Sequence, residues 1–88
     1  MQSEVVITRR GHVDIIADIL RVTKEGARKT RIIFRAGLNN EQCEKYLSLM
    51  MRKGLIEAEK RGKHVLYRTS DKGSEFLRKY HVLREFLT

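Results

Sequence analysis

The sequence predicts a mainly α-helical domain with one small β-hairpin. Apolar residues recur three or four positions apart over most of the chain, which is the spacing of one helix face. Residues 55–69 change to a period of two, with a glycine-centred turn in the middle, which is typical of a hairpin. The length of 88 residues suits one domain. A chain this short buries roughly 60–65% of its extended surface, so contact with a partner chain would add to a modest core.

The first residues are the least regular part of the chain. Residues 1–10 are assigned to a flexible arm or a short edge strand, because residues 4–8 are rich in β-branched side chains. We expect Arg9 and Arg10 to stay solvated, as exposed arms usually do. The folded domain is expected over residues 11–88. Its first helix is expected over residues 12–24, with an apolar stripe that includes Ile15, Ile16, Ile19 and Leu20.

A second, short helix is expected over residues 28–36, with Ile32, Ile33, Phe34 and Ala36 as its apolar contacts. Its first turn carries Arg28, Lys29, Thr30 and Arg31. Cations at a helix N-terminus oppose the helix dipole, so this placement costs some stability. A locally unfavourable feature favours a functional role, here contact with a phosphate backbone. A solvated basic turn is the alternative.

The strongest helix signal lies in residues 39–53, after a turn that Gly37 permits. Asn39 is expected to cap this helix, with Gln42 completing a capping box, and Gly54 suits the left-handed position after its end. The predicted buried face carries Cys43, Leu47, Met50 and Met51. The side chains expected to reach base edges or phosphates are Asn39, Asn40, Gln42, Lys45, Tyr46, Ser48 and Arg52. An ordinary solvated helix face is the alternative, and Tyr46 could instead close the edge of the core.

The hairpin is expected to pair residues 55–60 with residues 64–69 around a turn at residues 61–63. Its tip, residues 60–64, carries Lys60, Arg61, Lys63 and His64. These cations could contact DNA phosphates, or could protect a strand edge from aggregation, and both roles are compatible.

The last helix is expected over residues 70–87, with Ser70 as its N-cap. Gly73 in its first turn indicates a close backbone approach. The apolar stripe spans about 220°, more than one core contact needs. We therefore expect the outer part of this helix to form a homodimer interface that includes Tyr80, Leu83, Phe86 and Leu87.

Composition limits the possible functions. The net charge of +8 and a pI near 10.1 favour a polyanionic partner, nucleic acid before anionic membrane. The single cysteine excludes an intrachain disulfide, and a reducing cytoplasm is expected. No apolar run reaches the roughly 20 residues that cross a bilayer, and no secretory signal is recognisable. The three histidines are dispersed, so no enzyme, metal site or cofactor is predicted.

The element order helix, helix, turn, helix, hairpin, helix describes a winged helix-turn-helix. Residues 13–80, and especially residues 29–39 and 70–73, also resemble the small archaeal winged-helix transcriptional regulators, which include the ten-kilodalton 10a-type chromatin proteins. The resemblance implies double-stranded DNA binding, association with the nucleoid and a dimer through the C-terminal helix. In the 10a type that helix is much longer. A winged helix that binds proteins instead of DNA is the alternative, since fold does not determine function.

Overall fold

The computed structural model describes residues 10–88, so the expected N-terminal arm lies outside the described residues except for Arg10. Arg10, expected to stay solvated, lies 3.4 Å from the Asp18 carboxylate, with its side chain 42% exposed. The elements are α1 (His12–Val22), α2 (Lys29–Ala36), α3 (Asn40–Arg52), β1 (Ile56–Arg61), β2 (His64–Thr69) and α4 (Asp71–Glu85). Three helices, a hairpin and a fourth helix follow one another in the predicted order. The predicted winged helix-turn-helix is therefore confirmed.

Two helices end earlier than the sequence predicted. Helix α1 stops at Val22 instead of residue 24, because the chain turns at Gly26, whose φ is +94°. The turn is closed by Gly26 N–H, which donates to the Thr23 carbonyl at 3.0 Å. Helix α4 stops at Glu85 instead of residue 87. Its apolar stripe continues beyond the last helical residue, which is why periodicity alone places the end too late.

The turn between α2 and α3 follows the predicted chemistry. Gly37 adopts φ +68°, a left-handed conformation that ends α2. Asn39 then caps α3, since its side-chain oxygen accepts from the Gln42 amide at 2.7 Å. Gln42 returns the bond, accepting from the Asn39 amide at 3.0 Å. This capping box determines where α3 begins and therefore which of its side chains face outwards.

The core lies where α1, α2, α3 and the start of α4 meet the base of the hairpin. Its buried apolar residues include Ile19, Leu20, Ile32, Cys43, Leu47, Met50, Ile56 and Leu77. Two expected core contacts are wrong: Phe34 is 82% exposed and Met51 is 39% exposed. Both lie at the edge of an apolar stripe, where no other element of the described residues covers them. Of the four α3 residues predicted to be buried, Cys43, Leu47 and Met50 are buried and Met51 is not.

The hairpin pairs β1 with β2 antiparallel, with Ile56 opposite Thr69 and Arg61 opposite His64. Its tip is the two-residue turn Gly62-Lys63, where Gly62 has φ +61° as the first position of a type II′ turn requires. Ala27 extends the sheet on the other side of β2 by two backbone hydrogen bonds to Tyr67, of 2.8 and 3.0 Å. The residues that precede α2 are thus attached to the wing.

The start of α4 is joined to the end of α3. The Ser70 hydroxyl accepts from the Gly73 amide at 3.0 Å and donates to the Gly54 carbonyl at 2.5 Å. Gly73 is buried, and a Cβ there would overlap the Leu55 carbonyl oxygen. The close backbone approach predicted for Gly73 is confirmed. These contacts hold the end of β2 and the start of α4 against the C-terminal end of α3.

Candidate nucleic-acid interface

Helix α3 presents a continuous polar face to solvent. Cys43, Leu47 and Met50 turn inwards, and among residues 10–88 nothing covers the opposite side of the helix. The exposed side chains on α3 and its cap include Asn39, Asn40, Gln42, Lys45, Ser48 and Arg52. An exposed helix of this kind fits the width of a DNA major groove, which admits one α-helix.

The cap changes what two of these side chains can do. The oxygens of Asn39 and Gln42 are occupied by the capping box, while their NH₂ groups remain free to donate. Bidentate recognition of adenine needs both the oxygen and the nitrogen of one amide. Asn39 and Gln42 are therefore suited to donating single hydrogen bonds, to phosphates or to acceptors on base edges. Asn40 has no such role in the cap and keeps both groups.

Helix α2 is tied to α3 by an ion pair. Lys29 in the first turn of α2 donates to the Glu44 carboxylate on α3, and this hydrogen bond raises the pKa of Lys29. The lysine side chain is 30% exposed and that of Glu44 is 59% exposed. The positive charge of Lys29 is therefore partly neutralised. The neighbouring Arg28 and Thr30 are exposed. The pair also removes part of the negative charge that Glu44 would present beside Lys45.

The wing is tied to the start of α2. Arg28 Nη1 lies 3.3 Å from His64 Nδ1, at the base of the hairpin tip. Glu44, Lys29, Arg28 and His64 thus form a row of contacts that runs from α3 through the start of α2 to the wing. The three predicted basic segments are brought next to one another by this row.

The wing tip is basic and exposed. Lys60, Arg61 and Lys63 all face solvent. Arg61 Nε donates to Glu59 at 2.9 Å, and this bond lowers the pKa of the Glu59 carboxyl group. Arg68 lies 3.6 Å from the same carboxylate. Lys60 and Lys63 have no ion pair with any residue from 10 to 88, so they carry the uncompensated charge of the tip.

Tyr46 is half-buried beside α1. Its hydroxyl lies 2.5 Å from His12 Nδ1, and the two rings are 5.9 Å apart. Tyr46 packs on the core, and it also lies next to Gln42 and Lys45, with which it lines a shallow cleft. Its position is therefore compatible with both roles that the sequence left open, closing the edge of the core and contacting DNA. The contact with His12 was not predicted from the sequence.

The outer part of α4 carries exposed apolar side chains. Val82, Leu83, Phe86 and Leu87 are between 54% and 81% exposed. Tyr80, predicted on the same surface, instead turns towards α1, where its hydroxyl donates to Asp14. Burial and this hydrogen bond raise the pKa of Tyr80. The exposed apolar surface of α4 therefore begins beyond Tyr80.

Other kinds of site find little support in the described part of the chain. No group of three or more His, Cys, Asp or Glu side chains in residues 10–88 could hold a metal ion. Cys43 is fully buried and burial raises the pKa of its thiol, which suits an inert core residue. No helix in the same residues is long and apolar enough to cross a membrane.

Basic side chains from α1 and α2 also come together, and two of them, Arg21 and Arg35, were not among the predicted phosphate contacts. Arg21, Arg31 and Arg35 line a groove with Arg28 on the side of α2 that faces away from Glu44. The four-residue spacing of Arg31 and Arg35 could have revealed their common face. No sequence signal connects them to Arg21, which comes from α1.

The comparisons with known proteins agree with this fold. A family described as winged helix-turn-helix matches residues 9–88. The chain is similar to the structure of Sso10a-2, a DNA-binding protein from Sulfolobus solfataricus, with 28% identity, a TM-score of 0.78, and coverage of 89% of this chain and 85% of that one. No curated protein sequence matches significantly.

Two more distant structures share the fold. The PcaV transcriptional regulator from Streptomyces coelicolor has 22% identity and a TM-score of 0.71, over 84% of this chain and 55% of that one. The transcriptional repressor BigR from Xylella fastidiosa has 12% identity and a TM-score of 0.68, over 98% and 85%. Because the family match spans nearly the whole sequence and the fold agrees with it, the chain belongs to the winged helix-turn-helix family.

Proposed function

We propose that this protein binds double-stranded DNA, as a transcriptional regulator or an architectural chromatin protein associated with the nucleoid. Helix α3 enters the major groove, and the wing follows the adjacent backbone or the minor groove. The observation that carries the proposal is the row of contacts from Glu44 through Lys29 and Arg28 to His64, which links α3 to the basic wing. The likeness to a protein described as DNA-binding supports it.

The side chains divide into two groups on this proposal. Asn40, Lys45, Ser48 and Arg52 on α3, with the free NH₂ groups of Asn39 and Gln42, face the groove or its walls, and Tyr46 borders them. Arg28, Lys29, Thr30, Lys60, Arg61 and Lys63 contact phosphates. Phosphate contacts supply affinity without sequence information, whereas contacts to base edges supply specificity. Lys29 can join only if it gives up part of its bond to Glu44.

We further propose a homodimer through α4. Leu83, Phe86 and Leu87 form its contact surface, because these apolar side chains are exposed and have no partner element within residues 10–88. Tyr80 supports this surface from behind through its bond to Asp14. A dimer would place two α3 helices on one duplex, so that the target would have two half-sites.

A salt titration with a random-sequence duplex tests DNA binding. If about six phosphates are neutralised, log K should fall with log salt at a slope of roughly −5. Lys45→Ala should make the slope shallower by about 1, because one phosphate or groove contact is lost. Glu44→Gln at the neighbouring position should raise affinity, because it removes a carboxylate from the interface and releases Lys29.

Lys79→Ala on α4 is the matched control, since Lys79 is exposed and its one ion pair within residues 10–88 is with Glu75. It should leave the slope near that of the wild type. An absence of duplex binding at low salt would contradict the proposed function and would favour a protein-binding winged helix.

A further inference from the structure

A basic groove lies outside the row that joins α3 to the wing. It has a volume of about 540 Å³ and runs between the end of α1, the outer side of α2 and Leu66 of β2. Its basic side chains are Arg21, Arg28, Arg31 and Arg35, and Glu25 is its one acidic side chain. The groove is too polar for an apolar ligand, so its chemistry favours an anion.

The charge in this groove is only partly compensated. Arg21 pairs with Asp18 at 2.7 Å and lies over the Tyr80 ring, so its positive charge is already compensated within the chain. Arg31 and Arg35 form no ion pair with any residue from 10 to 88. Like charges four residues apart destabilise a helix by about 0.2–0.5 kcal/mol, and Arg31, in the first turn of α2, also opposes the helix dipole, whereas Arg35 lies in the last turn. An external anion would relieve both effects.

The shape of the charge favours an extended anion over a compact one. Arg31 and Arg35 are separated by about 6 Å along the axis of α2, and Arg28 continues the row towards the wing. One strand of DNA carries a charge every 3.4 Å or so along its axis, so a row of arginines can follow it. Arg28 both lines the groove and contacts His64 at 3.3 Å, so the groove opens at the edge of the proposed DNA interface.

We propose that this groove, called here the arginine groove, holds the sugar–phosphate backbone of DNA that flanks the segment contacted by α3. The duplex bound by α3 and the wing passes Arg28 and continues along Arg31 and Arg35. The bound site is therefore longer than the part that α3 and the wing cover. This inference rests on the proposed DNA binding and adds a second backbone contact to it.

Duplex length is the variable that tests the arginine groove. The double variant Arg31→Ala/Arg35→Ala keeps a good helix former at two exposed positions, so folding should be retained. Its affinity is measured by anisotropy between 50 and 200 mM salt, on random duplexes of about 12 and about 30 base pairs. On the long duplex the slope of log K against log salt should become shallower by about 2 per bound subunit, since two phosphate contacts are lost. On the short duplex the slope should not change. A longer duplex offers more overlapping binding positions, which multiplies K by a constant factor and does not change either slope.

Arg78→Ala/Lys79→Ala is the matched control, because it removes the same charge from α4 and neither residue lines the arginine groove. It should leave the slope on the long duplex unchanged. Equal changes on both duplexes, or an equal effect of the control, would overturn the groove and indicate a general effect of net charge. Two short duplexes bound per subunit would also overturn it, because the groove would then hold a separate duplex. If the wild type binds neither duplex, the proposed function itself fails.

Discussion

Gly73 lies in the first turn of α4, where alanine would ordinarily make the helix more stable. Glycine inside a helix costs about 1 kcal/mol relative to alanine. Here a Cβ would overlap the Leu55 carbonyl oxygen and would lie 2.8 Å from Thr69 Cγ2 and 2.9 Å from Leu20 Cδ2. The sequence indicated a close approach at this residue, but the partner that makes it is 18 positions away and could not be identified.

We expect Gly73→Ala to lower the free energy of unfolding by about 1–3 kcal/mol, because the clash with backbone outweighs the gain in helix propensity. Urea denaturation followed by circular dichroism measures it. Ser74→Ala at the next, exposed position should change stability by less than about 0.5 kcal/mol. A Gly73→Ala variant as stable as the wild type would show that the backbone can move away.

The elements α1 and α4 are joined by a polar cluster. Asp14 of α1 accepts hydrogen bonds from Tyr80 and from the Gly11 amide, and Arg84 lies 3.3 Å from it. These bonds, that of Tyr80 first, lower the pKa of Asp14. This cluster therefore joins α4, which also carries the proposed dimer surface, to α1.

The stability that Asp14 contributes should depend on pH. Its pKa is lower in the folded state than in the unfolded chain, where it is about 3.9. The contribution is therefore complete above the unfolded value and is lost as the pH falls through the folded value. The difference in unfolding free energy between the wild type and Asp14→Asn should stay constant from about pH 7 to 5 and shrink below about pH 4. A difference that stays unchanged down to pH 3 would contradict the lowered pKa.

The dimer is a property of the whole molecule, and two phenylalanines allow a matched test. Phe86, the residue just after α4, is 81% exposed, and Phe34 on α2 is 82% exposed. If α4 forms the interface, Leu83→Ser/Phe86→Ser should sediment as a monomer at micromolar concentration, whereas Phe34→Ser should remain a dimer like the wild type. Both variants should change the free energy of unfolding of one subunit only slightly, because Leu83, Phe86 and Phe34 all face solvent. A wild type that sediments as a monomer would disprove the dimer, and dissociation by Phe34→Ser would move the interface to α2.

The order of the elements, the capping box at Asn39 and Gln42, and the turn at Gly62 were all predictable from the sequence, because each depends on residues a few positions apart. The same local patterns predicted which side of α3 is polar. They did not determine whether an apolar stripe is covered along its full width, which is why Phe34 and Met51 were assigned wrongly.

The contacts between side chains of different elements were decided by tertiary structure alone. Lys29 and Glu44 are 15 positions apart, Arg28 and His64 are 36 apart, and Asp14 and Tyr80 are 66 apart. Many arrangements of the basic residues are compatible with the same periodicity, and only the packing of the helices against the hairpin selects one. That packing separates the partly neutralised Lys29 from Arg31 and Arg35, which form no ion pair in the described part of the chain, and so distinguishes the face of α3 from the arginine groove.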